Sequence, residues 1–417
     1  MTALCPAPTA AVSGVAELTG PSRFGPDLSP VCRIDGTVLV TDPALVDSLL
    51  TDRRLHAARP GPRWWAGRQE REAAAFYAAW PMFSDDAVHA AGRTLAKSAV
   101  DAALARLSRP EVASIVASAL RPGASVHDWA GGEARAIVRL VLARWAGVDG
   151  AQLTGLEGFA HVVLDELAVV GSTRSRRRRL LAARDEVAAL LLGVAVEGGP
   201  GGSPAGGPAA AGSGVSDVAV PAAAGAPAST PPLAESAGGG FAASTEAGLV
   251  GPYAAALRAG TLPPDVVLGS FAQVITGLLD PLIAAVAAVP LVLAAGALDE
   301  VETTNAQVAT TLGLASPFRF TSRFAAEEMV VDGVRVRSGE RLVLHLGAAS
   351  LAKIERGETA RLPYFGVGAH YCLGARVATL VVGEVIEALA GRTVEVHACS
   401  VLPTLFLRFA RLDVSYV

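Results

Sequence analysis

The hydrophobic pattern of most of the chain is that of amphipathic helices. Apolar residues recur at i, i+3 and i+4 in 89–107 and in 131–148, and the segment from 43 to 196 is mostly of this kind. Helical periodicity resumes at about 247 and continues to about 315. A further helix is predicted over 374–391, immediately after the sequence Cys-Leu-Gly.

Strand patterns occupy three shorter stretches. Residues 31–43 contain two apolar runs around Asp35-Gly36, a pattern typical of a β-hairpin. Alternating apolar and polar positions with intervening turns predict a small antiparallel sheet over 318–347, and strands return in 402–417. The pattern as a whole predicts a mainly α fold with a minor antiparallel β part.

One segment interrupts this pattern. Residues 197–246 consist almost entirely of Gly, Pro, Ala and Ser, a composition that cannot bury a core and is typical of disorder. Because the helical pattern is present on both sides, we interpret residues 1–417 as a single domain that carries 197–246 as a disordered insert.

Composition narrows the classes of function. The net charge is −4, so no basic surface for nucleic acid is indicated. The run 281–298 has no charge over a length that could cross a membrane, but it is Ala-rich, contains Pro290 and lacks flanking Lys or Arg. We therefore expect it to be a pair of buried helices. The start of the chain has no basic, apolar leader, so we expect a soluble, cytoplasmic protein without a membrane partner.

The chemically most specific stretch is 365-FGVGAHYCLG-374. Gly366 and Gly368 permit a tight bend and a close approach of the backbone to a flat partner. Cys372 stands where the next helix begins, and the positive end of a helix dipole favours a thiolate there. A thiolate is a metal ligand or a nucleophile, and His370 is poorly placed to act as its general base. From the spacing alone, a small buried cysteine in a turn remains the alternative.

This stretch resembles the haem-binding loop of the cytochrome P-450 family, F-G-x-G-x-H-x-C-x-G-x-x-x-A. The matching residues are Phe365, Gly366, Gly368, His370, Cys372, Gly374 and Ala378. Two further features of that family follow in the right order. One is an H-x-x-x-R pair, here His89 and Arg93, and the other is an arginine after a Ser-Pro turn, here Arg323. The likeness runs from the hairpin to the C-terminus, apart from the insert.

The resemblance implies a cytochrome P-450-like fold and a b-type haem as cofactor. Cys372 would be the axial thiolate ligand of the haem iron. Charge-assisted hydrogen bonds would hold the haem propionates, and the residues expected to make them are His89, Arg93, Arg323 and His370. Phe365, Gly366, Gly368 and Gly374 would form the loop that lies against the haem.

The sequence departs from the family first at the E-x-x-R motif. In the family, this Glu and Arg pair with each other and with a basic residue ahead of the cysteine loop. Here Thr310 and Gly313 stand at those positions, and the connection 348–364 is short and lacks the usual Pro-Asp/Glu-Arg-Phe signature. Because loss of all partners of a buried ion pair costs much less than loss of one, we interpret these changes as one consistent redesign.

The second departure lies in the helix that crosses the haem in this family, here 271–286. An Ala/Gly-Gly-x-acid-Thr pattern there supplies protons for oxygen activation. Gly277 matches the glycine, whereas Leu279 falls on the acid and Asp280 on the threonine, with Pro281 next. We interpret Gly277 and Asp280 as the catalytic positions, with Asp280 as a lone acid or a site for a substrate cation. The alternative is that Asp280 satisfies backbone groups at a proline kink.

These features give three hypotheses. The first is a haem-thiolate monooxygenase or oxidase that acts on a small organic molecule in specialised metabolism, driven by a ferredoxin and its reductase or by peroxide. The second is a haem-thiolate enzyme of non-oxygenating chemistry. The third is a catalytically silent relative that activates a partner enzyme, which fits poorly with a complete cysteine loop. The basic run 174–184 is expected to be a solvated helix face, or else a docking surface for an acidic partner such as ferredoxin.

Overall fold

The computed structural model describes the chain from residue 30 to its end with several gaps. The described residues are 30–34, 36–57, 68–121, 125–168, 174–193, 248–402 and 406–417. The predicted insert 197–246 lies outside these residues, and so does Asp35 of the predicted hairpin.

Twelve helices are present in this described part of the chain. They are α1 (Pro43–Leu50), α2 (Arg68–Ala78), α3 (Ala87–Leu104), α4 (Arg109–Ala119), α5 (Arg135–Ala146), α6 (Gly150–Ala168), α7 (Arg174–Leu192), α8 (Val250–Ala259), α9 (Pro264–Ala294), α10 (Thr304–Ala315), α11 (Leu346–Glu355) and α12 (Ala375–Leu389). The helices predicted over 89–107, 131–148 and 374–391 are confirmed as α3, α5 and α12, and a π-helical turn (Ala130–Ala134) precedes α5.

The strands are short and lie in three sheets. They are β1 (Val31–Ile34), β2 (Thr37–Val40), β3 (Leu55–His56), β4 (His127–Asp128), β5 (Phe320–Ala325), β6 (Met329–Val331), β7 (Val334–Val336), β8 (Arg341–His345), β9 (Val394–Val401) and β10 (Phe409–Tyr416). The largest sheet has the order β1-β2-β8-β5-β3, and the others are β4-β10-β9 and the pair β6-β7.

One strand pair differs from the predicted antiparallel arrangement. β2 and β8 are parallel, with Val38 opposite Leu342, whereas the other pairs in the described sheets are antiparallel. A parallel pair needs a long crossover connection. Here almost the whole helical part of the chain lies between the two strands, so the pairing could not be read from local turn signals.

The long helix α9 is the centre of the apolar core. It runs unbroken for 31 residues through Pro281 and Pro290. The prediction of two helices over 281–298 was therefore wrong, because a single helix continues through Pro290 to Ala294. Its close packing against several other helices compensates for the backbone hydrogen bonds that the prolines cannot make. α9 is also the one described helix that is long and apolar enough to span a membrane, and 78% of its most apolar window is buried inside the protein.

A close contact between α3 and α9 fixes the position of one side of the site. Ser270 on α9 donates a hydrogen bond of 2.8 Å to the carbonyl oxygen of Gly92 on α3. A Cβ on Gly92 would stand 2.7 Å from Cγ of Pro81 and 3.6 Å from Cβ of Ser270, so no larger residue fits at this crossing. At the start of α3, the Asp86 carboxylate accepts the Val88 N–H at 2.9 Å and caps the helix.

Candidate functional site

The cysteine loop consists of two short 3₁₀ turns, Pro363–Phe365 and Gly368–His370, that lead into α12. Gly366 and Gly368 have φ values of +67° and +63°, a region that residues with a side chain rarely adopt. The Cys372 N–H donates a hydrogen bond of 2.9 Å to the carbonyl oxygen of Phe365, which closes the loop. The glycines predicted from the sequence are therefore required by the backbone.

Gly374 packs closely against α9. A Cβ on this residue would stand 3.3 Å from Cδ1 of Leu278 on α9 and 3.7 Å from the Cys372 sulfur. The first distance is tighter than an ordinary van der Waals contact, so the Leu278 side chain would have to shift slightly to admit a larger residue. The contact also places the middle of α9 beside the cysteine.

The Cys372 side chain is partly accessible, and its partial burial raises the pKa of the thiol. The N–H groups of Gly374 and Ala375 and the charge of Arg93 act in the opposite direction but do not outweigh it. The helix start therefore acts in the expected direction, towards the thiolate, but burial has the larger effect. A bound cation would reverse the balance, because coordination deprotonates a thiol.

The four predicted propionate-binding side chains lie together, although three separate parts of the chain supply them. The rings of His89 on α3 and His370 in the loop are 4.6 Å apart between centroids. Arg93 donates a hydrogen bond of 2.5 Å to the carbonyl oxygen of Tyr371. Arg323 on β5 is buried, and its charge lowers the pKa of His370.

Asp85, which the sequence analysis missed, belongs to the same cluster. Its carboxylate lies 2.9 Å from Nε2 of His370 and 3.7 Å from Nδ1 of His56. It also opposes the lowering of the pKa of Arg323, which burial causes. A sequence signal did exist, because Asp85 and Asp86 are adjacent and only one of them is needed to cap α3.

Both histidines of the cluster are held towards the neutral form. Burial lowers the pKa of His89, and the neighbouring Arg93 adds to this effect. Burial likewise lowers the pKa of His370, against the hydrogen bond with Asp85. Nε2 of His89 is buried and has no hydrogen-bond partner among the described residues, so the cluster offers an unused polar atom for an added group.

On the other side of the loop, α9 leaves a small open stripe. Val274 and Gly277, one turn apart, are partly exposed although most of the helix is buried. No atom lies within 4 Å of the position that a Cβ on Gly277 would take. Gly277 therefore borders open space, and its place at the catalytic site stays a prediction.

Asp280 is buried, and its carboxylate is paired. Nε of Arg408, just ahead of β10, donates to it at 3.0 Å, and Nε2 of His161 on α6 lies 3.8 Å away, an ion-pair distance. Burial raises the pKa of Asp280, but His161 and Arg408 together outweigh it and bring the pKa below its ordinary value. The sequence analysis did not identify either basic partner, because both are more than a hundred residues distant.

Comparison with known proteins identifies similar chains and folds. No family model matches the chain. Over 77 residues it is 38% identical to cytochrome P450 140 of Mycobacterium tuberculosis, and over 86 residues it is 30% identical to the steroid C26-monooxygenase of Rhodococcus jostii. These stretches make up 16% and 18% of this chain, and each spans 18% of the relative's length.

Solved structures match almost the entire chain. The structure of CalO2 aligns with a TM-score of 0.68 at 19% identity and covers 100% of this chain and 99% of its own. P450BioI, solved in complex with an acyl carrier protein that carries hexadec-9Z-enoic acid, aligns with a TM-score of 0.67 at 17% identity over 91% and 92%. CYP164A2 of Mycobacterium smegmatis aligns with a TM-score of 0.66 at 16% identity over 98% and 97%.

Proposed function

Because the chain has the fold of the cytochromes P450, we propose that it is a haem-thiolate oxidoreductase acting on a small organic molecule. The observation that carries this proposal is the convergence at the cysteine loop. Four side chains from α3, β5 and the loop meet beside Cys372, and they are His89, Arg93, Arg323 and His370. A chain that used this fold only for packing would have no need of such a set.

The residues of the site fit a b-type haem. Cys372 would be the axial ligand, because coordination to a metal deprotonates a thiol. The propionates would be held by Arg93, Arg323, His89 and His370. Nε2 of His89 has no hydrogen-bond partner among the described residues, so it is available to bind a propionate oxygen. The thiolate-bound haem would supply oxidation chemistry through electron donation from sulfur.

Around this group, the chain's own residues would divide the work. The loop of Phe365, Gly366, Gly368 and Gly374 would keep the cysteine at a fixed distance from α9. Gly277 would leave room for the reacting atoms on the other side. Asp280 is the proposed acid–base position, since His161, whose side chain is 41% exposed, connects its carboxylate with solvent.

The low pKa of Asp280 supports unusual oxygen chemistry. A carboxyl whose pKa lies below its ordinary value is ionised at neutral pH and donates protons poorly. Pro281 follows it and brings no hydroxyl. We therefore propose that peroxide supports oxidation at least as well as a ferredoxin with its reductase. The alternatives are non-oxygenating chemistry on the same haem, and a catalytically silent protein that activates a partner enzyme.

An acidic protein is the proposed partner. Arg174, Arg178 and Arg179 of α7 are exposed, and α7 has no acidic residue in its first turn to balance them. Cations at a helix start oppose the helix dipole, so this arrangement does not arise from helix stability. A ferredoxin would match the charge. The acyl carrier protein bound to P450BioI suggests a carrier protein as a second candidate. We further propose that the protein is soluble and cytoplasmic.

Turnover of the haem-loaded protein tests the proposal. Steroids and long-chain fatty acids are the first compounds to screen. One relative is a steroid C26-monooxygenase, and the carrier protein bound to P450BioI carries hexadec-9Z-enoic acid. A compound that shifts the haem absorption band is then incubated with either peroxide or ferredoxin, reductase and NADPH. We expect oxidised product with both, and at least as much with peroxide. Haem-loaded protein that binds such compounds but converts none with either driver would contradict the oxidoreductase proposal.

A further inference from the structure

The contact between α10 and α11 lies where the resemblance leads one to expect a Glu–Arg pair. Thr310 and Gly313 occupy the corresponding positions on α10. A Cβ on Gly313 would stand 2.7 Å from Cδ1 of Ile354 on α11 and 2.7 Å from Cδ1 of Leu362, just after α11. Two apolar side chains therefore fill the space directly against the backbone of Gly313. A residue with a side chain at 313 would have to displace both of these methyl groups.

A buried cation lies beside this packing. Lys353 on α11 is 7% exposed, and its ammonium group forms an ion pair with Asp47 on α1. The same group donates a hydrogen bond of 3.0 Å to the carbonyl oxygen of Arg361. Lys353 thus joins α1, α11 and the connection that leads into the cysteine loop.

The hydrogen bond to Arg361 acts close to the loop. Arg361 precedes Leu362, which packs on Gly313, and Phe365, whose carbonyl oxygen accepts the Cys372 N–H at 2.9 Å. The carbonyl oxygen of Arg361 is therefore held by a charge-assisted hydrogen bond, and the side chain of Leu362 is held by apolar contact. Both anchors lie within four residues of the point at which the loop closes on the cysteine.

We propose that Lys353, with Asp47 as its counter-ion, is the positioning residue of the cysteine loop. Together with the contact of Gly313 with Ile354 and Leu362, it takes the place of the missing charged pair. Burial of an ammonium group is costly, and packing of α1 on α11 alone would be served as well by an apolar side chain. The retained charge is explained by its hold on the Arg361 carbonyl. The role in haem binding rests on the proposed function, whereas the role in holding the loop does not.

We refer to the contacts of Lys353 with Asp47 and with the Arg361 carbonyl oxygen as the brace. Hydrogen exchange in the haem-free protein tests it directly. Lys353→Met keeps the length of the side chain and removes its charge. We expect the amides of 359–374 to exchange about tenfold faster, while those of α9 and the remainder of α11 keep their rates. Arg356→Met is the matched control. It removes an arginine three residues away whose partner, Glu358, is exposed, and it should leave 359–374 unchanged.

A second variant covers the case in which Lys353→Met does not fold. Asp47 is 42% exposed, so Asp47→Asn is tolerated, and it removes the counter-ion while Lys353 remains. We expect the same segment to exchange about threefold faster. Rates in 359–374 equal to those of wild type in every folded variant would overturn the brace.

The spectrum of the haem-loaded protein separates the two proposals. If the brace holds the ligand in place, reduced Lys353→Met with CO should show a smaller share of the red-shifted thiolate band than wild type and Arg356→Met. A full thiolate band in Lys353→Met would contradict its role as a positioning residue. A wild-type protein without any thiolate band would contradict the proposed function, and the exchange rates would then decide on the brace alone.

Discussion

Two neighbouring regions differ in how closely they follow the cytochrome P-450 pattern. At the cysteine loop, every residue that the resemblance identifies is present, and the structure brings them together. At the contact of α10 with α11, the charged pair is gone, and Gly313, Ile354 and Leu362 pack there instead. If the loop holds a haem as proposed, the difference separates the residues that the ligand needs from those that only support the fold. A structural ion pair can be replaced by apolar packing, whereas a metal ligand can be replaced only by another metal-binding side chain.

The apolar packing between α10 and α11 does not satisfy every polar group nearby. The hydroxyls of Thr310, Thr311 and Ser350 are buried without a hydrogen-bond partner among the described residues. His345, at the start of α11, is buried, and its pKa falls to about 4 because of that burial and the nearby Arg319. His345 is therefore neutral at neutral pH and adds no charge to this contact. The variants below test whether the two regions differ as this comparison requires.

The largest effect is expected for Arg93 and Arg323, the two arginines beside His370. Each charge-assisted hydrogen bond to a propionate is worth about 1.5–3 kcal/mol. The double variant Arg93→Ala/Arg323→Ala should therefore lose haem at least about a hundredfold faster than wild type. Transfer of haem to apomyoglobin measures this rate. Lys97→Ala, on the turn of α3 that follows Arg93 and paired with Asp101, should retain haem as wild type does. Equal loss rates in the double variant and wild type would remove these arginines from the haem site.

The next effect is a pH dependence that originates at His345. An unfolded histidine takes up a proton near pH 6.5, but the folded one does so only near 4. Between these values the unfolded state binds more protons, so stability is present above pH 6.5 and is lost as the pH falls towards 4. The shift corresponds to about 3 kcal/mol. Urea unfolding of haem-free protein at pH 7, 5.5 and 4 should show this loss in wild type.

The matched variants for that titration are His345→Asn and His397→Asn. Asn can still accept the Ala348 N–H that His345 Nδ1 accepts at 3.0 Å, and it does not titrate. We expect His345→Asn to have a flatter slope than wild type. His397 is on β9 and partly exposed, and its replacement should leave the slope unchanged. A wild-type slope in His345→Asn would contradict the buried, neutral histidine.

A smaller effect on stability, but a clear effect on rate, is expected at Asp280. Asp280→Asn leaves Arg408 partly buried without its counter-ion, which should lower the free energy of unfolding by about 1–2 kcal/mol. Its ionised carboxylate can still accept a proton and pass it on, so Asp280→Asn should also lower ferredoxin-driven turnover by roughly 10²-fold, and peroxide-driven turnover less. Arg408→Gln removes the same ion pair and keeps the carboxylate. If both variants lose turnover equally, Asp280 acts only through Arg408.

The sequence predicted the parts of this molecule that depend on local signals. Helical periodicity located α3, α5 and α12, the motif located Cys372 and its loop, and the resemblance is confirmed at the level of the fold. It did not reveal Asp85, because its partner His370 is 285 positions away. It did not reveal Lys353 or Arg408 as structural residues for the same reason. The division of α9 at Pro290 was wrong because tertiary packing can sustain a helix that proline disfavours locally.

The smallest effect is expected for the Gly- and Ala-rich insert. Composition predicts that 197–246 packs against nothing, and the free energy of closing a loop changes slowly with its length. Replacing 198–245 by a short Gly/Ser linker should leave haem content and the unfolding midpoint nearly as in wild type. Thermal unfolding and haem quantitation of both proteins check this. A marked fall in either value would show that the insert contributes to the fold or to the site.

The most direct test of the central claim is the absorption spectrum of the reduced, CO-bound protein with and without Cys372. The account predicts a strongly red-shifted Soret band in wild type, retained in Cys32→Ala and Cys399→Ala and absent in Cys372→Ala. Neither control cysteine forms a disulfide within the described part of the chain. A red-shifted band that persists in Cys372→Ala, or one that never appears in haem-loaded wild type, would contradict the claim that Cys372 is the thiolate ligand of a haem.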